Sequence, residues 1–304
     1  MNSSQVAQPR SIGFIGLGVM GEPICRNLAS KSGAALIALD KDAAPLQRLV
    51  AQGVKPASSA KEIAASVDVL FLSLPSGEIV DEVCRASEGI LANGRRGLMV
   101  VDLSTTSVDV TRRLADDFAQ QGMVFIDAPV ARTRAAAEAG TLSVMVGATP
   151  EEFEQVRPLI ATFASDIALC GAVGCGQVVK ILNNMVLFEI VAALSEAKAI
   201  GERSGVAVGT LFDVLSKGSA DSFALRNHGM KAIVPDEFPL RAFSVDYARK
   251  DLRYALKLAG ECGVDAEGAR HVDALLQSAI EAGDKDRYWP VISRLFQAGS
   301  PRAV

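Results

Sequence analysis

The chain has 304 residues, of which 49% are hydrophobic and 22% charged, and a formal net charge of −4. That length suggests about two domains of roughly 150 residues, each with enough apolar material for a core. The mildly acidic balance gives no electrostatic basis for binding nucleic acid or an anionic membrane surface. Five scattered cysteines without CxxC spacing, and only two histidines, His228 and His271, argue against a metal site and a histidine-based triad. Unpaired thiols and a polar first ten residues without an apolar signal core lead us to expect a cytoplasmic protein. No uninterrupted apolar stretch reaches about 18 residues, so no membrane span is expected.

Ser11 to Leu17 reads as a short buried strand that runs into Gly16-Leu17-Gly18-Val19-Met20-Gly21, a GxGxxG turn. A helix from Pro23 to Ser30 follows. A second strand, Ala35 to Leu39, is closed by Asp40, about twenty residues after the glycines. Glycine suits a tight turn and a close backbone approach to a pyrophosphate, whose charge the helix N-terminus then receives. Asp40 is placed to accept hydrogen bonds from the adenosine ribose hydroxyls. A carboxylate there repels a 2′-phosphate, so NAD is expected in preference to NADP; Lys41 blurs that preference.

Alternation of strand and helix continues. Val67 to Leu74 and Leu98 to Leu103 read as strands, the first ending at the loop Pro75-Ser76-Gly77 and the second at Ser104-Thr105-Thr106-Ser107. Ligands bind outside the carboxyl ends of strands in such sheets, which points Leu74, Pro75 and Thr105 at the nicotinamide half of a cofactor. The same hydroxyls also read as an N-cap for a helix from Val108 to Gln121. Val124 to Asp127 is a further strand. The loop after it, Ala128 to Arg134, holds two arginines. The planar fork of Arg132 suits an anionic group, whereas Arg134 reads as exposed. Gly140 to Gly147 reads as a strand, Thr149 to Thr162 as a capped helix, and Ile167 to Cys170 as a last strand.

From Gly174 the pattern becomes helical. Gly174 and Gly176 allow close backbone approach, and Gln177 to Arg203 reads as one long helix, apolar on nearly all sides and therefore expected to be buried. Lys180, Asn183 and Asn184 interrupt it, and Lys180 and Asn184, four residues apart, share a face. A desolvated lysine beside a carboxamide suits proton transfer at a substrate oxygen. The same residues also fit a lysine that reaches solvent and asparagines that bond to backbone. Further helices are expected over Val208–Ser216, Tyr247–Gly260, Asp265–Ala282 and Val291–Gln297. Phe223, His228 and Trp289 read as packing residues. The expected architecture is a Rossmann-type, mostly parallel doubly wound sheet over 1–173, joined by a long helix to an all-helical domain over 174–304.

Four blocks in order resemble the β-hydroxyacid dehydrogenase family, which includes 3-hydroxyisobutyrate dehydrogenases and tartronate semialdehyde reductases. They are GFIGLGVMGEPICRNL (Gly13 to Leu28), DAPVARTRAAAEAGTL (Asp127 to Leu142), GCGQVVKILNN (Gly174 to Asn184) and KDL (Lys250 to Leu252). The resemblance implies an NAD(P)-dependent oxidoreductase acting on a small anionic hydroxyacid, with a helical second domain like that of 6-phosphogluconate dehydrogenase; the apolar length of the interdomain helix points to a homodimer or homotetramer. It implies that Lys180 is catalytic and that Asn184 orients it or the substrate. It also implies that Lys250 approaches cofactor or substrate and that Thr105 lies near the nicotinamide ribose. Substrate-binding positions carried over are Ala131, Arg132, Thr133, Asn183 and Lys250; cofactor positions are Gly16, Gly18, Val19, Met20, Gly21, Asp40, Leu74, Pro75, Thr105 and Lys250. The family usually has SGG where this chain has Ala131-Arg132-Thr133. Sulfolactaldehyde reductases carry a similar GRT there, so both carboxylate and sulfonate head groups stay open. Two other classes also hold a dinucleotide on this fold. One is an imine reductase, whose members mostly replace the lysine with Asp or Tyr; the other is a non-catalytic NAD-binding sensor.

Overall fold

The computed structural model describes residues 11–240 and 242–297. The first ten residues, read above for a signal core, lie outside them. The chain divides into two compact units, Met1–Lys180 and Ile181–Val304.

In the first unit the described strands are β1 (Ser11–Ile15), β2 (Ala35–Leu39), β3 (Lys55–Pro56), β4 (Val69–Leu72), β5 (Met99–Asp102), β6 (Val124–Asp127), β7 (Val130–Ala131), β8 (Leu142–Gly147) and β9 (Ala164–Gly171). They form one sheet in the order β3-β2-β1-β4-β5-β6-β8-β7, with β9 paired to β8. The pairings from β3 to β6 are parallel, and β8 runs antiparallel to β6 and β7. The order 3-2-1-4-5-6 is the doubly wound arrangement expected from the alternating pattern.

Both faces of this sheet are covered, which explains why VDVLFLSL shows no polar alternation. Val69 and Phe71 point into one core with Phe14, Ile24, Val101, Ile126 and Phe163. Leu70 and Leu72 point into the other, with Val100, Leu114, Phe118 and Phe125. Register brings the carboxyl ends of the central strands level: Ile15 lies opposite Leu72, Leu72 opposite Asp102, and Asp102 opposite Asp127. The loops after these four residues therefore emerge side by side.

Several short helices escaped the sequence reading, although each opens on a capping residue. Asp42 caps Ala43–Val50, Ser59 caps Ala60–Ser66, and Thr133 caps Arg134–Ala139. Pro75-Ser76-Gly77 is shorter as a loop than expected, because Ser76 accepts from Ile79 N and opens a helix over Gly77–Arg85. The capped helix at Thr149 is present with a full capping box to Glu152. At the helix Val108–Gln120 the expected hydroxyl cap is absent: Ser107 occupies the N-cap position without a side-chain cap bond.

The second unit is helical among its described residues, apart from isolated bridges between Leu240 and Arg287 and between Ser244 and Tyr288. Helices span Val208–Leu215, Val245–Glu261 and Glu267–Glu281. Leu225–Ile233 is a π-helical segment the sequence reading did not anticipate, and Trp289–Phe296 is a 3₁₀ helix. Trp289 is fully buried with its ring centroid 4.7 Å from that of Phe188. His228 is buried against it, but Phe223, expected to pack inside, is 52% exposed.

The long helix spans Cys175–Arg203. Its expected burial on nearly all sides is corrected: Val179, Leu182, Val186 and Ile200 are exposed. These residues recur at three-, four- and seven-type spacings and so share a face, while Ile181, Phe188, Val191 and Leu194 are buried on the other. By length and composition alone this helix is long and apolar enough to cross a membrane. Lys180, Asn183, Asn184, Glu189, Glu196 and Lys198 interrupt it with polar or charged groups.

The turn after β1 generates a prediction. A Cβ added at Gly21 would lie 1.9 Å from the carbonyl oxygen of Gly16, whereas one at Gly18 meets nothing within 4 Å. Gly21→Ala should destabilise the protein by about 1–3 kcal/mol or more through overpacking. Gly18→Ala should leave the melting temperature within about 2 °C of the parent. Thermal unfolding of both variants checks this, and equal losses would contradict it.

Candidate active site

The glycine-rich turn and the residues around it fit a dinucleotide. Gly18 and Val19 are exposed while Gly16 and Gly21 are buried. The backbone at Gly18 is open to a ligand, and the third glycine is needed for the close approach of helix to turn. The carboxylate of Asp40 accepts from Leu17 N in that turn and, at 2.7 Å, from Asp42 N. Asp40 thus fixes the glycine turn as well as standing where the ribose was expected. Met20 is half-buried at the N-cap of the following helix, Gly21–Lys31.

Beside the turn, the loops after β4 and β5 and the start of the long helix are joined by a buried polar network. Leu74 N donates to Ser104 Oγ at 2.9 Å. Asp102 accepts from Ser104 N and from Thr106 Oγ1, both at 2.9 Å. The fully buried carboxamide of Gln177 accepts from Thr106 N at 3.0 Å and donates to Ser104 O at 2.8 Å. Thr105, between those two anchors, is half-buried. Leu74 is half-buried and Pro75 exposed at the same strand ends.

Asp127, at the end of β6, holds the start of the long helix. It accepts from Gly174 N and Gln177 N, each at 2.7 Å. A Cβ at Gly176 would lie 2.4 Å from Met145 O and 2.7 Å from Asp127 Oδ2, so glycine is needed there for helix and strands to meet. Asp102, Asp127 and Gln177 went unread as functional positions. The available signal was the polar residue at each strand end and the glutamine inside an otherwise apolar first turn.

Lys180 lies one turn beyond Gln177 and is half-buried, not fully buried as expected. Asn184 follows one turn later and is 3% exposed. In the second unit Asn184 Nδ2 donates to Asp251 Oδ2 at 2.8 Å, and Asn183 Nδ2 donates to Asn184 Oδ1 at 3.1 Å. Lys250 Nζ forms an ion pair with Asp251 Oδ1 at 2.8 Å and lies 5.1 Å from the centre of the Tyr254 ring. Asp251, itself 3% exposed, therefore ties two of the expected site residues together. It lay inside the KDL block but was not singled out.

The arginine loop is arranged differently from expectation. Arg132 is exposed, and its guanidinium contacts Thr141 O at 2.7 Å, Ser165 Oγ at 3.0 Å and the carboxylate of Asp166 at 2.7 Å. Its backbone is left-handed, with φ 85°. That conformation suits the glycine usual in the resembled family and costs another residue roughly 1–2 kcal/mol. Ala131 is half-buried, and the Thr133 hydroxyl accepts from Ala136 N as an N-cap. Arg134 is exposed, as expected, and it pairs with Glu138.

Burial pushes both strand-end carboxyls up to about 6, against the downward pull of their hydrogen bonds. Asp102, raised from 3.8 to about 6, binds its proton more tightly folded than unfolded. Its contribution to stability is therefore fully present below about pH 4 and lost as pH rises through about 6. In Asp102→Asn the carboxamide can still accept from Ser104 N and donate to Thr106 Oγ1. Between pH 5 and 7 the parent should lose about 1 kcal/mol more unfolding free energy than this variant. Urea unfolding at the two pH values measures the difference, and parallel losses would contradict it.

Comparison with known proteins agrees with this geometry. Residues 11–174 match the family described as the NAD binding domain of 6-phosphogluconate dehydrogenase, and residues 174–291 match the NAD-binding family of NADP-dependent 3-hydroxyisobutyrate dehydrogenase. The chain is 37% identical over 253 residues to 2-(hydroxymethyl)glutarate dehydrogenase of Eubacterium barkeri, covering 83% of each. It is similar in structure to Mycobacterium tuberculosis 3-hydroxyisobutyrate dehydrogenase solved with L-serine, with a TM-score of 0.86, 30% identity, and coverage of 95% of this chain and 99% of that one. An imine reductase from Myxococcus stipitatus, at 15% identity, a TM-score of 0.65 and coverage of 96% of this chain and 100% of that one, shares the fold alone. Sheet order, glycine turn, helical second unit and these likenesses converge: the chain is a nicotinamide-dependent oxidoreductase and belongs to the β-hydroxyacid dehydrogenase family.

Proposed function

We propose that the protein interconverts a small anionic 3-hydroxyacid and its semialdehyde, with Lys180 as the proton-transfer group. The observation that carries this reading is the clamped first turn of the long helix. Asp127 and Gln177 hold that turn against the strand ends where such sheets bind ligand, and the next turn presents a half-buried Lys180. The substrate names of the relatives support the substrate class. 2-(Hydroxymethyl)glutarate and 3-hydroxyisobutyrate both carry a primary alcohol on the carbon next to the one bearing the carboxylate.

A bound nicotinamide supplies the hydride donor or acceptor, and this chain's residues manage the proton. In the reducing direction the Lys180 ammonium donates its proton to the substrate oxygen as negative charge develops there. In the oxidising direction the neutral amine removes the hydroxyl proton. From the second unit we assign Asn184, held by Asp251, and Lys250 to substrate binding. Asp40 disfavours a 2′-phosphate and so favours NAD over NADP. The Ala131–Thr133 loop meets the anionic head group; because Arg132 is already paired with Asp166, an incoming anion joins or displaces that carboxylate. The cytoplasm and a homo-oligomer remain the setting we assign.

Turnover of C3–C4 hydroxyacids, carboxylated and sulfonated, with NAD and with NADP tests the class. In Lys180→Ala, turnover on the best substrate should fall roughly 10²–10⁴-fold while NADH still binds, as read by its fluorescence. Near-normal turnover in that variant would remove the assignment.

A further inference from the structure

The Gln177 side chain forms two hydrogen bonds, and both go to one loop. Its oxygen accepts from Thr106 N and its nitrogen donates to Ser104 O, so the loop is gripped on both sides of Thr105. The backbone of the same residue donates to Asp127, which also takes Gly174 N. Gln177 is fully buried, and the loop it grips is fastened from beneath by Asp102 and laterally by Leu74 N. Every one of these groups belongs to the first unit. The chain buries a carboxamide here and bonds both its oxygen and its nitrogen. Burying such a group costs free energy unless it is hydrogen-bonded, so losing this pair of bonds would leave both ends of the carboxamide unsatisfied.

We propose that Gln177 is a positioning residue that locks the Ser104–Thr106 loop to the turn preceding Lys180, so that the nicotinamide-facing loop and the proton-transfer group keep one fixed relation. This inference rests on the Lys180 reading above. Hydride transfer is sensitive to small misplacements, because the reacting groups must be held close and aligned. Gln177 touches neither substrate nor cofactor in this scheme; it acts through the backbone of its neighbours.

The test is a double-mutant cycle read by single-turnover hydride transfer at saturating coenzyme and substrate. Gln177→Met keeps volume and removes both hydrogen bonds. It should slow hydride transfer about 10–100-fold, while KM for the hydroxyacid and Kd for NADH move less than about threefold. In a Lys180→Ala background the same change should slow the residual rate less than about threefold, because the group being positioned is gone. Gln177→Glu serves if the methionine variant does not fold: it keeps the acceptor for Thr106 N, turns an oxygen toward Ser104 O, and should show the same rate loss. A Gln177 variant with a rate within about twofold of the parent would overturn the proposal, as would equal losses in both backgrounds, which mark a merely structural role. Failure of the Lys180 reading is separately visible, because Lys180→Ala alone would then retain its rate.

Discussion

A carboxylate set into the amides of a helix start is the constraint on which the rest of this structure depends. Asp127 ends β6 and accepts from Gly174 N and Gln177 N at the opening of the long helix. Unpaired amides and the helix dipole favour negative charge at that place. The contact fixes where the helix leaves the sheet and therefore where its second turn, with Lys180, begins. It also explains the glycine at 176, since a Cβ there would collide with Met145 O and crowd the same carboxylate. Desolvation still outweighs the amides, which is why burial pushes the Asp127 carboxyl up to about 6. The arrangement trades some stability at neutral pH for a fixed geometry.

The second unit uses the same device. Asp251 is buried on the helix Val245–Glu261 and binds Asn184 and Lys250 with its two oxygens. In each unit, then, a buried acid fixes a helical segment that carries residues of the proposed site. Elsewhere buried polar groups serve packing. His228 hydrogen-bonds Tyr288 within an aromatic cluster, and burial drives its imidazole down to about 4, so it stays neutral at physiological pH.

Much of the fold was legible because its signals are local. The GxGxxG turn, the apolar strands and the break into helical periodicity at Gly174 each depend on neighbours in sequence, and each stands where the pattern put it. Short helices such as Ala60–Ser66 were missed because one or two turns carry too little periodicity, although Ser59 marked the start. The π-helical segment Leu225–Ile233 differs from an α-helix by tertiary packing that spacing does not encode. At the site, Lys180 and Asn184 stood out as polar residues in an apolar helix. Asp127 and Gln177 did not, since the partners in their bonds lie 47 to 73 residues away; Asp102 bonds Ser104 and Thr106 close by in sequence, but a polar residue ending a strand carries no pattern of its own. Arg132 shows what spacing leaves out: its fork suits an anion, and Asp166 on β9 already supplies one.

The proposed proton transfer by Lys180 is tested most directly by restoring the missing amine chemically. Small primary amines added to Lys180→Ala should return turnover in proportion to their concentration, with a rate that tracks the basicity of the amine. A variant that turns over like the parent without any amine, or whose residual rate ignores amines of every size and basicity, would contradict the account.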